Sequence, residues 1–273
     1  MKLWSLGSGS RGNAVLLECG SSRVLIDAGY PPRVLARRLA LIDVATASIE
    51  AVVITHEHDD HVRGAAGAAR RWGWGVHATA GTIAACRRLR GTGALALAAS
   101  RTIGFHDLDI EAIPLSHDAA EPIGIVATER ATGARAAIIY DLGCVTDTVR
   151  TALGGVELLM LESNHDDGML RAGPYPFIVQ ERIASRRGHL SNRDAGLAAA
   201  ECAHGGLGHI VLAHLSEKCN DAALASGTMR KALARTAFRG AVTPAVQDSV
   251  VGPFSVGARA GVGPVSVQFA LAL

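Results

Sequence analysis

The sequence predicts a mixed α/β fold, in which helices cover a sheet with both parallel and antiparallel strands. Short apolar runs bounded by turn residues recur along the chain and are typical of strands. Longer stretches rich in Ala, Arg and Leu, with helical spacing, lie between several of these runs. Thr132-Gly133 stands between two strand-like runs and predicts a hairpin turn. Hairpins combined with later strand and helix alternation therefore favour a mixed sheet.

In chain order, the apolar runs predict ten strands: Lys2 to Leu6, Ala14 to Glu18, Arg23 to Ile26, Ala51 to Ile54, Gly75 to Ala78, Leu108 to Ile113, Ile123 to Thr128, Ala136 to Tyr140, Leu158 to Leu161 and Ile210 to Ala213. The stretches with helical spacing predict five helices: Pro32 to Leu41, Val62 to Trp72, Thr82 to Leu89, Asp194 to His204 and Asp221 to Ala237. Ser191 is a suitable N-terminal cap for the fourth helix, because its hydroxyl can accept a hydrogen bond from a free backbone N–H.

The composition is that of a soluble globular protein, since 49% of the 273 residues are hydrophobic and 19% are charged. This length suffices to bury a large core. Without an internal repeat or a low-complexity linker, residues 1–273 are predicted to form a single domain. The net charge of +2 does not by itself indicate a polyanionic partner, and most arginine clusters are predicted to be solvated helix faces.

The sequence also predicts a cytoplasmic protein. The N-terminus runs into a Gly/Ser loop without the apolar segment of a signal peptide, and no stretch approaches the length of a membrane span. The five cysteines are scattered and form no C-x-x-C pair, which argues against a disulfide framework or a thiolate zinc site.

The chemistry is concentrated directly after one predicted strand. The apolar run 52–55 is followed at once by His56-Glu57-His58-Asp59-Asp60-His61. Residues two apart in an extended segment point to the same side, so that His56 and His58 can converge on one ion. A following helix would turn Asp60 and His61 toward a second position. A lone histidine is more often an ordinary surface or core residue, but this density of imidazoles and carboxylates indicates a site for zinc, manganese or iron.

The H-x-H-x-D-H pattern resembles the signature of the metallo-β-lactamase superfamily. The resemblance implies a four-layer αββα sandwich with mixed sheets and a site for two divalent metal ions at one edge. It further implies that His117 completes the first metal's ligands, that Asp141 bridges both ions, and that His214 completes the second set. Asp27 matches a carboxylate that orients a ligand without binding metal itself.

Within that superfamily, the sequence is similar to the YycJ (WalJ) group, which includes 5′ to 3′ exonucleases on double-stranded DNA. The resemblance covers Leu6 to about Asp221. Its most specific segments are Ser5-Leu6-Gly7-Ser8-Gly9-Ser10-Arg11-Gly12-Asn13, Ser116-His117-Asp118-Ala119, Glu162-Ser163-Asn164-His165-Asp166, Gly188-His189-Leu190-Ser191-Asn192 and His214-Leu215-Ser216-Glu217-Lys218-Cys219-Asn220. It implies a metal-dependent phosphodiesterase with a nucleic acid substrate, DNA in preference to RNA.

Four residues in these segments are predicted to bind the scissile or terminal phosphate: His165, His189, Ser191 and Asn192. Donors beside a cationic site would stabilise the charged transition state. Alternatively, Ser191 and Asn192 only cap a helix and His189 is a turn residue.

Asp60, Asp141 and His165 are the predicted catalytic residues, and the leaving group's proton comes either from His165 or from a metal-bound water. Arg182, Arg186 and Arg187 are the best candidates for contact with a nucleic-acid backbone. The segment 7–13 is a weak candidate phosphate loop, and a flexible hairpin connection describes it better.

Several related functions fit less well. The interval of 73 positions from Asp141 to His214 is too short for the additional domain of ribonuclease J-type enzymes, and the sequence lacks the glycine-rich arm of ribonuclease Z. Secreted β-lactamases need an export signal, and flavodiiron proteins carry Glu at the position of His58. Two alternatives remain open: a small-molecule ester, thioester or lactone hydrolase of the glyoxalase II type, and a metal-binding regulatory protein without turnover.

Overall fold

The computed structural model describes residues 1–257 and the strand backbone of residues 267–270. The predicted single domain of 1–273 therefore includes two short stretches outside the described residues. The strands are β1 Lys2–Gly7, β2 Ala14–Cys19, β3 Ser22–Ile26, β4 Ala51–Val53, β5 Gly75–Ala78, β6 Leu95–Ala96, β7 Thr102–Gly104, β8 Leu108–Pro114, β9 Ile123–Glu129, β10 Arg135–Ile139, β11 Leu158–Glu162, β12 His209–Ala213, β13 Ala241–Pro244, β14 Ser249–Ser255 and β15 Val267–Ala270.

The helices among the described residues are α1 Pro32–Ala40, α2 Asp59–Val62, α3 Ala65–Trp72, α4 Ala80–Ala85, α5 Asp147–Ala152, α6 Asp167–Ala172, α7 Phe177–Ile183, α8 Asn192–Cys202 and α9 Ala222–Leu233. Two short 3₁₀ helices span Thr46–Ser48 and Arg87–Leu89. None of the described helices is long and apolar enough to cross a lipid bilayer.

The strands form two mixed sheets. Sheet A has the order β15-β14-β1-β2-β3-β4-β5-β6, and sheet B has the order β13-β12-β11-β10-β9-β8-β7. In sheet A, β3, β4 and β5 are parallel, whereas β1, β2 and β3 form antiparallel pairs. In sheet B, β10 to β13 are parallel, and β8, β9 and β10 pair antiparallel.

Alternating side chains of each strand assign the layers. On β2, Val15 and Leu17 join the cluster that also holds side chains of sheet B, so this cluster lies between the sheets. Ala14 and Leu16 face the opposite way and pack with residues of α1 and α3. A third cluster joins the outer face of sheet B to α5, α8 and α9. The chain is therefore a four-layer αββα sandwich, as expected from the sequence.

All ten predicted strands are present. Five strands were not predicted: β6, β7, β13, β14 and β15. The last three of them lie in the tail after Gly240. The two residues of β6 are exposed, and β7 is a three-residue edge strand, so neither carries an apolar alternation that sequence reasoning could detect.

The helices differ more from the prediction. The expected helix from Val62 to Trp72 is divided between α2 and α3 at Gly64, because the N–H of Gly64 donates to the carbonyl of Ala28 and not to a carbonyl of the preceding turn. The one from Thr82 to Leu89 begins earlier and is broken at Cys86, whose ψ of 104° is extended. Helices α5, α6 and α7 were missed, because six or seven residues show too little periodicity.

Strand direction gathers the chemistry at one edge of the sandwich. β8 is antiparallel to β9 and β9 to β10, so β8 runs in the same direction as β10, β11 and β12. The carboxyl ends of these strands consequently lie at one edge of sheet B. Polar side chains that follow them are brought close to those that follow β3 and β4 of sheet A.

Candidate metal centre

Seven predicted metal ligands come from four chain segments and meet in one cluster. They are His56, His58, Asp60, His61, His117, Asp141 and His214, and each belongs to at least one group whose nitrogen and oxygen atoms lie within 4.8 Å of one another. Every one of these segments directly follows a strand. The convergence therefore results from the parallel arrangement of strand ends.

Three histidines form the first group. The rings of His56 and His58 have centroids 4.6 Å apart, and the His56 and His117 centroids are 5.1 Å apart. Nδ1 of His58 lies 3.3 Å from Nε2 of His117. These nitrogens thus surround a common point.

The second group combines Asp60, His61 and His214. Nε2 of His61 lies 3.4 Å and Nε2 of His214 lies 3.5 Å from Oδ2 of Asp60. Oδ2 of Asp141 is 2.9 Å from Nε2 of His61. Asp141 is also grouped with His56 and His61, so its carboxylate lies between the two groups.

The unsatisfied atoms of the cluster test whether a cation fits. Nε2 of His56, Nε2 of His214 and Oδ2 of Asp141 are buried and form no hydrogen bond among the described residues. Buried polar atoms without partners are costly, and a coordinated cation would satisfy them. Imidazole nitrogens with carboxylates suit a divalent transition metal or zinc better than calcium or magnesium. The residues therefore fit divalent metal binding.

The distal nitrogen of several rings is held by a hydrogen bond. Nδ1 of His61 lies 2.7 Å from Oδ2 of Asp27, and Nδ1 of His117 lies 3.1 Å from the carbonyl of Gly188. Asp27 also accepts hydrogen bonds from Thr55 and Tyr140. Such contacts fix the ring orientation and leave Nε2 facing the cluster.

Glu162 lies in one of the segments that carry the family resemblance, but it was not predicted as a site residue. It is fully buried at the end of β11, and its Oε1 lies 2.8 Å from Nδ1 of His189 and 3.0 Å from Nδ1 of His214. Its Oε2 accepts the backbone N–H groups of Leu142 and Leu190. Its position at the end of an apolar strand could have identified Glu162 from the sequence, because Asp27 and Asp141 also stand at the ends of apolar strands.

Sequence reasoning also missed Asn13. Its Oδ1 accepts the N–H of Gly9, which directs Nδ2 toward Nε2 of His61 at 3.1 Å and Oδ2 of Asp60 at 3.4 Å. The hydroxyl of Ser8 donates to Asn13 and accepts the N–H of His214. The Gly/Ser segment 7–13 is therefore a hairpin connection that also joins three metal-site residues.

Three of the strand-end residues have left-handed backbone conformations. The φ angles are 60° for Asp27, 57° for Asp141 and 53° for His214. Positive φ is uncommon outside glycine, although Asp and His tolerate it better than most residues, and it concentrates at functional sites. The chain turns sharply at each of these positions, where it leaves its strand.

The electrostatics of the cluster favour ionised carboxylates. Burial opposes ionisation of Asp141, but the charges of His214 and His61 lower its pKa well below the usual range. Burial likewise opposes ionisation of Glu162, but His189 lowers its pKa to about 2. Burial lowers the pKa of His56, with His61 acting in the same direction. Burial opposes protonation of His214, but Asp141 raises its pKa to about 9, and Asp141 likewise raises the pKa of His61 against the effect of burial. A cation bound by these imidazoles would therefore replace their protons beside the ionised carboxylates.

The four predicted phosphate-binding residues lie in two kinds of surroundings. His189 is partly exposed, and its ring centroid lies 5.2 Å from those of His117 and His214. His165 is buried, and its Nδ1 has no hydrogen-bond partner among the described residues. Ser191 caps α8 through the N–H of Asp194, and the buried Asn192 side chain bonds to Ser163 and Asn220.

The predicted backbone-contact arginines border the cluster. Arg182 pairs with Asp118 at 2.6 Å, the Nε of Arg187 donates to the carbonyl of His117, and the carbonyl of Arg186 accepts the hydroxyl of Ser116. All three arginines are exposed. In contrast to these, Arg38 is buried against the ring of Tyr30 and is not a solvated helix residue.

A family model described as a β-lactamase superfamily domain matches residues 22–214, and the crystal structure of the metallo-β-lactamase fold protein YhfI from Bacillus subtilis has a TM-score of 0.68. That match has 16% sequence identity and covers 92% of this chain and 99% of YhfI, so it shows a shared fold. The chain therefore belongs to the metallo-β-lactamase superfamily and is a metal-dependent hydrolase.

Two sequence relatives narrow this assignment. The chain is 32% identical over 237 residues to a Bacillus anthracis protein named exodeoxyribonuclease YycJ, covering 85% of this chain and 89% of that protein. It is 32% identical over 238 residues to exodeoxyribonuclease WalJ of Streptococcus pneumoniae, covering 84% and 87%. The predicted similarity to the YycJ/WalJ group is confirmed.

Proposed function

We propose that the protein is an exonuclease that degrades DNA in the 5′ to 3′ direction and uses two divalent metal ions. The observation that carries the proposal is the arrangement of seven candidate ligands in two groups with Asp141 between them. The relatives named exodeoxyribonuclease support a nucleic acid substrate. We also propose a cytoplasmic location, which suits such a substrate and five free cysteines.

In this proposal, His56, His58 and His117 would hold one ion and Asp60, His61 and His214 would hold the other. Asp141, which lies between the two groups, would be available to either ion. Bound divalent ions would supply positive charge to the scissile phosphate and make water a better nucleophile at neutral pH. Zinc and manganese are the candidates, and iron also suits the ligand set.

The remaining residues of the centre orient these ligands. Asp27 holds the ring of His61 through Nδ1, and Glu162 holds the ring of His214 in the same way. Because each carboxylate accepts several hydrogen bonds, it keeps a single position and so limits rotation of the imidazole. Asn13 restrains Asp60, because its Nδ2 donates a hydrogen bond to Oδ2 of Asp60.

His189 is the strongest candidate for direct contact with the phosphate. Glu162 binds its Nδ1, while the partly exposed ring lies between His117 and His214. A proton held at Nε2 would then be available to a phosphate oxygen or to the leaving oxygen. His165 is our second candidate for the leaving-group proton, and direct phosphate contacts of Ser191 and Asn192 stay predictions.

The surroundings of the cluster favour a large anionic substrate over a small apolar one. Arg182, Arg186 and Arg187 lie at its border and are exposed. Two surface cavities, of about 500 and about 380 Å³, are lined by other parts of the chain. A hydrolase of the glyoxalase II type would instead need an apolar pocket beside the metals.

The test is to incubate protein loaded with manganese or zinc with double-stranded and single-stranded DNA and RNA. Substrates labelled at the 5′ or the 3′ end report polarity, because a 5′ to 3′ enzyme releases a 5′ label at once as a mononucleotide. We expect metal-dependent release from DNA, and a decrease of at least 100-fold in Asp60→Ala.

The control is Asp109→Asn, which changes a surface carboxylate paired with Arg130 and should leave turnover unchanged. Degradation of RNA alone, or early loss of a 3′ label, would correct the substrate or the polarity. If no polynucleotide is degraded with either metal but thioesters or lactones are hydrolysed, the small-molecule alternative is correct.

A further inference from the structure

The surface beside the metal centre combines exposed apolar side chains with a local excess of positive charge. Phe177 and Ile178, at the start of α7, are 74% and 78% exposed. The segment 171–193 contains five arginines and one glutamate. Arg182 pairs with Asp118, and Arg193 pairs with Asp167 and Asp194, which leaves Arg171, Arg186 and Arg187 without an ion pair among the described residues. All five arginines are exposed. This charge distribution is complementary to a polyanion.

Helix α7 is attached directly to the metal centre. Ile178 and Arg182 are one turn apart and share a helix face, and Arg182 pairs with Asp118. Oδ1 of Asp118 lies 3.3 Å from Nε2 of His117. The N–H of His189 donates to the carbonyl of Ile183. Phe177 is therefore about 8 Å along the helix from a residue that borders the metal ligands.

We propose that Phe177 and Ile178 form a platform for unpaired bases of the nucleic acid next to the bond that is cleaved. The inference rests on the proposed nuclease function and adds a specific base contact to it. Phe177 stacks on a base, Ile178 contacts its edge or its neighbour, and Arg186 and Arg187 bind the phosphates. Stacking on an aromatic ring tolerates any base, which suits an exonuclease that must accept every sequence.

A second copy of the chain fits this surface less well. Two exposed side chains bury far less area than the roughly 1,000 Å² that a stable interface requires. In a symmetric dimer, the same surface would face itself and bring its arginines together. Repulsion between these like charges would oppose the contact.

The experiment measures binding of a single-stranded DNA oligonucleotide to metal-loaded protein by fluorescence anisotropy. Phosphorothioate linkages slow cleavage during the measurement. We expect Phe177→Ala to weaken binding about 5- to 100-fold, because stacking on one base is lost. Phe177→Trp retains an aromatic face and should bind within about threefold of wild type.

Salt dependence separates stacking from charge. Phe177→Ala should leave the slope of log Kd against log salt unchanged, whereas Arg186→Ala should reduce it by about 0.7. Leu95→Ala is the matched control, because Leu95 is 59% exposed on β6 and lies outside the proposed surface. We expect Leu95→Ala to bind like wild type.

Two results would overturn the inference. The first is that Phe177→Ala binds the oligonucleotide as tightly as wild type. The second is that Phe177→Ala changes the sedimentation coefficient of the protein while its oligonucleotide affinity is unchanged, a result that would identify a dimer contact. Hydrolysis of bis(p-nitrophenyl) phosphate by the wild-type protein tests phosphodiesterase chemistry separately, because this diester has no nucleobase. Wild-type protein that neither hydrolyses it nor binds DNA would contradict the proposed function itself.

Discussion

At the scale of single residues, the centre depends on carboxylates that orient the candidate metal ligands and are not predicted to bind metal themselves. Asp27 accepts four hydrogen bonds, from the backbone and hydroxyl of Thr55, from Tyr140 and from His61. Glu162 has the same role on the side of sheet B, between His189 and His214. Both are fully buried, so these donors are needed to satisfy their oxygen atoms.

We predict that Asp27→Asn lowers the affinity for zinc about 10- to 100-fold. The amide has the size of the carboxylate but replaces one acceptor oxygen with a donor, and it removes the charge that raises the basicity of His61. Competition with a chromogenic chelator measures this affinity. Asp109→Asn is again the control, and equal affinities in the two variants would exclude the proposed role of Asp27.

A second residue-scale prediction concerns the buried phenol of Tyr30, which bonds to the carbonyl of Gln247. Burial raises the pKa of Tyr30 to about 12. Between its ordinary pKa of about 10 and this value, only the unfolded chain loses the phenolic proton, so stability falls as pH rises.

Between pH 9 and pH 11.5, the free energy of unfolding of the wild type should therefore decrease by about 1–2 kcal/mol more than that of Tyr30→Phe. Urea unfolding at several pH values measures this difference. Parallel decreases in both proteins would show that the phenol does not ionise on unfolding.

At the scale of elements, the loops around the centre pack through glycines that leave no room for a Cβ atom. A methyl group on Gly143 would overlap the carbonyl of Ser185 and the backbone of Arg186 and Gly188. The carbonyl of Gly188 binds His117, and His189 follows it directly. The loop after β10 and the loop after α7 are thereby held against each other beside the metal ligands.

Gly143→Ala should therefore reduce phosphodiesterase turnover at least tenfold by displacing the segment that carries His189. It should also lower the free energy of unfolding by about 1–3 kcal/mol. Gly227→Ala on α9 is the control, because nothing lies within 4 Å of the added methyl group. That variant should be neutral or about 0.5–1 kcal/mol more stable. Equal turnover in both variants would refute this account of the loop contact.

At the scale of the whole molecule, the two sheets are joined by the apolar core between them and by the cluster at one edge. Asp27 and His61 belong to the sheet A side, whereas Asp141 and His214 follow strands of sheet B. A cation held by residues of both sheets would bind the folded chain and not the unfolded one, so it would stabilise the sandwich.

Removal of divalent metal by a chelator should therefore lower Tm. At a free metal concentration about 1,000 times Kd, binding contributes about 4 kcal/mol, which corresponds to a decrease of roughly 10 °C for a protein of this size. Differential scanning fluorimetry with and without chelator measures the shift. The variant His56→Ala should show a smaller shift, and an unchanged Tm in wild type would argue against metal binding across the two sheets.

The sequence by itself determined the chemistry and most of the regular structure. All ten predicted strands are present, because local apolar patterning reflects burial on one or both faces of a strand. The seven candidate metal ligands could be named in advance because they follow these strands and match a family signature. Short elements such as α5, α6 and α7 could not, since six or seven residues contain too little pattern.

Only the tertiary structure decided which residues support the ligands and what surrounds them. Asn13 and Glu162 were not among the predicted site residues, because their roles come from contacts with Asp60 and His214, which are distant in the chain. The exposure of Phe177 likewise depends on how α7 packs. Periodicity and motifs depend on residues that are close in the sequence. These contacts depend instead on strand order, because the order of the strands places the ends of β3, β4, β8, β10, β11 and β12 at one edge.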